Sequence, residues 1–174
     1  MKRNILIISL VLLAVSLLGC EEVAVDVKPQ SCPNPLNVKS KGVLPIAILG
    51  TDELDVCDIN ITTVGLYFTE VLVVEAIADK VDYNDVSTPY DKGSFPDCNC
   101  SEDGPDGYED VVFYFDTQEV VAALETAVSS ENGSLEDGQE WPLAIVGDLW
   151  ADVEEDYDIA GYDCVVIRKK GKNQ

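Results

Sequence analysis

The sequence predicts an all-β fold, a two-sheet β-sandwich of about seven strands carrying one short α-helix. Three observations lead there. Short runs rich in β-branched, aliphatic and aromatic residues recur at 23–28, 43–49, 63–68, 71–77, 110–115, 141–150 and 164–167. Clusters of proline, glycine, asparagine and aspartate separate them. Only VVAALETAV, at 120–128, combines helix-forming residues with apolar spacings of three and four.

Each element follows in order. VAVDVK (23–28) alternates apolar and polar residues, as a half-buried strand does. PQSCPNPLNVKSKG (29–42) contains Pro29, Pro33, Pro35 and Gly42 and reads as a long turn. VLPIAIL (43–49) is apolar almost throughout, the pattern of a strand buried on both faces. Pro45 lacks an N–H and calls for a bulge or an unpaired edge there. TVGLYF (63–68) and VLVVEAI (71–77) are further strands. Residues 79–110 form the polar centre, broken by Pro89, Gly93, Pro96, Gly104, Pro105 and Gly107. A loop this long is expected to be functional, or ordered by an ion or a disulfide. DVVFYF (110–115) returns to strand, and Asp116-Thr117-Gln118-Glu119 has the form of a capping box for the helix. WPLAIVGDLW (141–150) and CVVI (164–167) are the last strands, joined by an acidic, turn-rich link.

The first twenty residues stand apart. Met1-Lys2-Arg3-Asn4 is basic, and Ile5 to Leu18 is apolar except for Ser9 and Ser16. This run is short of the roughly 20 residues a membrane span needs and fits the apolar region of a secretory signal. Leu17-Leu18-Gly19-Cys20 resembles the lipobox of bacterial lipoproteins, in which the cysteine is acylated and becomes the new N-terminus. The expected organisation is a signal peptide at 1–19, a lipid-anchored linker at 20–22, one module at 23–169 and a frayed basic tail at 170–174. The expected location is the bacterial cell envelope, with membrane attachment through the Cys20 lipid. Glu21, rather than aspartate, follows the cysteine, which directs the expectation to the outer membrane if the host has two membranes.

Charge and residue types narrow the chemistry. Thirty-three Asp and Glu face 11 Lys and Arg, for a formal charge of −22. Removal of Lys2 and Arg3 with the signal makes the remainder more negative still. Such a field opposes nucleic acid and anionic lipid heads and favours cations. The chain has no histidine, so the usual Ser-His-Asp and Cys-His arrangements are excluded. Carboxylate pairs suited to glycoside hydrolysis are so numerous that chance supplies them. Besides Cys20 there are Cys32, Cys57, Cys98, Cys100 and Cys164, an odd number. At most two intramolecular disulfides can form, with one thiol left over, and spacing does not fix the connectivity. Zinc is disfavoured, because Cys98-Asn99-Cys100 has a single intervening residue and no histidine is available.

VDVKPQSCPNPLNVKSKGVLPIAILGT (25–51), FDTQEVVAAL (115–124) and IAGYDCVVI (159–167) together resemble an uncharacterised β-rich module of exported bacterial and archaeal proteins. That resemblance implies a secreted or surface-attached accessory domain and transfers no catalytic residues. The module's loop often runs D-x-D/N-G-D-G-x-x-D, similar to calcium loops of EF-hand and dockerin type. In EDGPDGYED (102–110), Asp106, Gly107 and Asp110 match the last three fixed positions. Glu102 stands for the first aspartate and Gly104 for the second, while Asp97, Asn99 and Asp103 are near enough in sequence to compensate. An EF-hand's closing glutamate would fall on Phe113, so the loop is not an EF-hand. Two readings stay open: a structural calcium site, or an acidic Asx-type turn. Glu154-Glu155-Asp156 with Asp158 is a second acidic patch, and Trp141, Trp150 and the tyrosines offer either core packing or a carbohydrate platform. The functional expectation is a lipid-anchored, non-catalytic envelope module that binds calcium and contacts a surface protein or polysaccharide. The alternative is an enzyme of unknown class acting on extracellular polymer.

Overall fold

The structure, a computed structural model, describes residues 21–69, 72–75, 80–92, 97–129, 133–150 and 157–169. The signal peptide, Cys20, the tail at 170–174 and the acidic run at 154–156 lie outside the described residues. Ten strands and one α-helix are present among them: β1 (Glu21–Glu22), β2 (Val25–Val27), β3 (Pro35–Asn37), β4 (Val43–Ile48), β5 (Ile59–Thr69), β6 (Leu72–Glu75), β7 (Val81–Asn84), β8 (Asp110–Asp116), α1 (Thr117–Ser129), β9 (Glu140–Leu149) and β10 (Ile159–Arg168). One sheet runs β1-β10-β9-β5-β6, with β3 also on β10, and the other runs β2-β4-β8-β7. The described residues form the all-β, two-sheet, single-helix fold that the apolar runs predict. The strand number exceeds the expected seven because β1, β3 and β7 are too short or too polar to show a period.

The core explains the long strands. Val111, Phe113 and Phe115 of β8 turn into the space between the sheets with Leu44, Ile46 and Ile48 of β4. Leu66, Leu143, Ile145, Val165 and Ile167 of the other sheet complete that cluster. On the outer face Ala47, Leu49 and Val112 form a second small cluster under Ala24, Val86 and Tyr114. β4 is therefore buried on both faces, as its unbroken apolar run requires. Pro45 sits one residue beyond the Val27–Ile46 pair that ends β2, and its carbonyl accepts from Lys28 N. Its missing N–H falls where the neighbouring strand has ended, so no ladder bond is lost. The helix starts as the capping pattern predicts: Asp116 Oδ1 accepts from Gln118 N at 2.7 Å and Glu119 N at 3.2 Å.

One edge of the sandwich is interrupted. β1 pairs in parallel with Ile159–Ala160 of β10, and β3 pairs in parallel with Val166–Arg168. Between these pairings the chain crosses to the other sheet as β2. Among the described residues, the edge of β10 from Gly161 to Val165 thus has no strand of its own sheet beside it on that side. The crossing is tight: a Cβ on Gly161 would lie 2.3 Å from the Val23 carbonyl oxygen, so only glycine fits there.

Candidate functional site

Unpaired edge carbonyls must find donors when they are covered, and here side chains provide them. Lys92 Nζ donates to the carbonyl of Tyr162 on β10 at 2.9 Å and to that of Val25 on β2. Asn34 Nδ2 donates to the Cys164 carbonyl at 3.0 Å, and Val166 N donates to the Asn34 carbonyl at 2.8 Å. Two side chains therefore continue the hydrogen-bond ladder across the interruption until β3 resumes it.

Asp163, 1% exposed, is the centre of this arrangement. Its Oδ2 accepts from Val27 N at 2.7 Å and Asn34 Nδ2 at 3.1 Å. Its Oδ1 accepts from Cys164 N at 2.7 Å and the Tyr90 hydroxyl at 3.1 Å, with Lys92 Nζ 3.5 Å away. Lys92 also lies 4.8 Å from the centroid of the Tyr90 ring. A buried carboxylate is tolerated when every lone pair is matched, and four hydrogen bonds plus an ammonium achieve that. Burial lowers the Lys92 pKa, and burial together with the Asp163 charge raises that of Tyr90.

Covalent bonds fasten the same loop. Cys98 bonds Cys164, next to Asp163, and Cys32 bonds Cys100, each with Cα atoms 5.4 Å apart. Four of the five candidate cysteines are thus used, and Cys57 is the odd thiol, exposed. Desolvation and the carboxylates of Asp55, Glu109 and Asp58 raise its pKa, which keeps it protonated and slow to exchange. Alkylation of the unreduced, denatured protein is expected to label Cys57 alone among the cysteines after residue 20. Mass spectrometry showing label on all five would remove both bridges.

The acidic loop ends on Asp110, the first residue of β8, which is fully buried. Its Oδ1 accepts from Gly50 N at 3.0 Å, and its Oδ2 accepts from Val86 N at 2.7 Å and Ser87 N at 3.1 Å. Burial raises its pKa, while these three backbone donors act the other way. The approach needs glycine at position 50, because a Cβ there would lie 2.2 Å from the Glu109 carbonyl oxygen. Asp106 is exposed and its Oδ1 accepts from Tyr108 N at 3.0 Å, an Asx turn around Gly107 at φ +104°. The carboxylate of Asp85 accepts from Asp106 N at 3.0 Å and Gly107 N at 2.7 Å.

Of the calcium candidates, Asp106 and Asp110 bracket the turn as expected. Glu102 and Asp103 are exposed on the same loop, and Asp103 Oδ2 accepts from the Ser101 hydroxyl at 2.6 Å. Asp97 and Asn99 are exposed on either side of Cys98, at the disulfide end. Among the described residues no three Asp, Glu, Cys or His side chains converge as a metal cage would. Sequence reasoning does not find Asp85, because it lies 21 residues before Asp106, where no fixed spacing points to it. Asp163 left a trace: it is the lone acid in an otherwise apolar strand. Of the aromatics, Trp141 is buried in the core, whereas Trp150 is 60% and Tyr157 38% exposed on either side of residues 151–156. Comparison with protein-family models, curated proteins and solved structures gave no match.

Proposed function

We propose that this chain is an exported, lipid-anchored, non-catalytic module of a bacterial cell envelope, holding a cross-linked acidic loop toward a partner outside the cytoplasm. The observation that carries the reading is the pair of disulfides across 32–164, since such bonds persist where thiols are not kept reduced. It agrees with the basic start, apolar run and lipobox-like Leu17-Leu18-Gly19-Cys20. The buried ionisable groups also support a structural reading, because Asp163, Lys92 and Asp110 are matched to backbone and side-chain partners rather than turned to solvent. Trp150 and Tyr157, both exposed, suit contact with a surface protein or a polysaccharide. Radioactive palmitate is expected to label the wild type and not Cys20→Ala, which should accumulate as an unprocessed membrane precursor. Equal labelling of the two would contradict the anchor.

Calcium enters the same proposal as a structural ion at the Asp85–Asp106 turn. Support comes from Asp85, whose two carboxylate oxygens accept from the N–H groups of Asp106 and Gly107 and so bring a second carboxylate to the turn. Extracellular sites bind at about 0.1–1 mM. An ion binding only the folded state adds about 1.4 kcal/mol at about tenfold excess over Kd, which about 1 mM calcium reaches at the tighter end of that range. Millimolar calcium is expected to raise the melting temperature, with magnesium much weaker. Asp106→Ala and Asp85→Ala should each lose that increment, and exposed Asp52→Ala should keep it. No calcium-dependent shift in the wild type would leave the loop as an acidic turn.

A further inference from the structure

Ser87 is fully buried, and its Oγ lies 2.5 Å from Asp26 Oδ2 and 3.4 Å from the Asp103 carbonyl oxygen. A hydroxyl has one proton, and donating it in full to Asp26 leaves the 3.4 Å approach to the Asp103 carbonyl longer than an ordinary O–H···O hydrogen bond. Both contacts are full hydrogen bonds at once only when Asp26 carries a proton, donates it to Ser87 Oγ, and leaves the Ser87 hydroxyl to donate to Asp103. Asp26 is itself 1% exposed, and its Oδ1 has no hydrogen-bond partner among the described residues. An orphaned oxygen is costly on a buried carboxylate and far less so as the carbonyl of a neutral acid.

We propose that Asp26 is a proton-loading site whose occupancy sets the direction of the Ser87 hydroxyl, and thereby whether the acidic loop is latched to β2 through Asp103. With the proton on, the relay runs from Asp26 through Ser87 to the loop carbonyl. With the proton off, Ser87 turns back to the Asp26 carboxylate and the loop loses that bond. The groups facing Asp26 come from every element packed there. Asp163 on β10 and Asp110 on β8 favour the proton, whereas Lys92 on the loop and the Ser87 hydrogen bond oppose it, with the Tyr90 phenol close by. Burial outweighs the rest and pushes Asp26 up to about 6. External acidity is the variable that a module outside the cytoplasm would read in this way.

The sign follows from linkage. Asp26 has a folded pKa of about 6 against 3.8 for the free side chain, so the folded state holds the proton more tightly between those values. Its contribution to stability is full below 3.8 and is lost as pH rises through 6. Lowering the pH from 7 to 5 should raise the folded-to-unfolded ratio about tenfold through this group alone. Asp26→Asn, which keeps a neutral donor toward Ser87, should lack that tenfold dependence. The direct experiment is carboxyl-carbon NMR of Asp26 in the mature, oxidised protein, with amide protection factors at Asp103 and Gly104 followed in parallel. A midpoint near 6, with loop protection falling as pH rises through it, is expected. A midpoint at the ordinary carboxylate value, or loop protection constant across the titration, would overturn the proposal. Ser87→Ala should keep a raised midpoint and lose the loop response. A loop that still responds in this variant would rule out the relay even if Asp26→Asn does not fold.

Discussion

Asp163→Ala is expected to destabilise the mature domain by about 3–5 kcal/mol, the cost of leaving a buried charge without its partner. The substitution strands Lys92 between two carbonyls, removes the acceptor of Val27 N, and frees both the Tyr90 hydroxyl and Asn34 Nδ2. These groups belong to the crossing strand, the long loop and the interrupted edge, so one deletion loosens all three. Asp163→Asn should cost less, because one oxygen survives as an acceptor. Lys92→Met in the Asp163→Ala background should recover part of the loss, since the uncompensated ammonium goes with it. Urea denaturation under oxidising conditions measures each term. An Asp163→Ala variant within about 1 kcal/mol of wild type, the scale of a surface pair, would mean that the network holds nothing together.

Asp110→Ala is expected to cost about 3 kcal/mol or more. Hydrogen bonds to a charged group contribute about 1.5–3 kcal/mol each, and three backbone donors lose their acceptor together. Gly50 follows β4 and Val86–Ser87 follow β7, so their common acceptor ties both neighbours of β8 to its first residue. The loss should be the same in chelator as in calcium, because the acceptor acts on backbone N–H groups whether or not an ion is present. A loss that vanishes in chelator would mean that Asp110 acts only as an ion ligand.

The sequence and the structure agree where a single physical signal acts over several residues. The runs at 43–49 and 110–115 announce buried strands, and Asp116 announces the helix start, because burial and capping are local patterns. The disulfides were legible as a number and not as a pairing, since 98 and 100 bond to positions 66 and 68 residues away. The edge network was not legible. Lys92 looks like one more loop cation, and its role depends on β2 leaving one sheet for the other beside Gly161. β3 and β7 were hidden for a related reason: three or four residues that pair along an edge need no apolar period of their own. The acidic stretch 102–110 draws attention to its own carboxylates, yet the one that organises its turn, Asp85, is outside it.

Amide hydrogen exchange of the mature, oxidised protein in chelator tests most directly whether the protein's own carboxylates and disulfides hold the loop. The N–H groups of Val27, Gly50, Val86 and Ser87 each donate to Asp163 or Asp110, and should exchange as slowly as those of β8. Rapid exchange at Val86 and Ser87 with β8, β9 and β10 still protected would contradict the account, and protection that returned only with calcium would assign the loop's order to the ion.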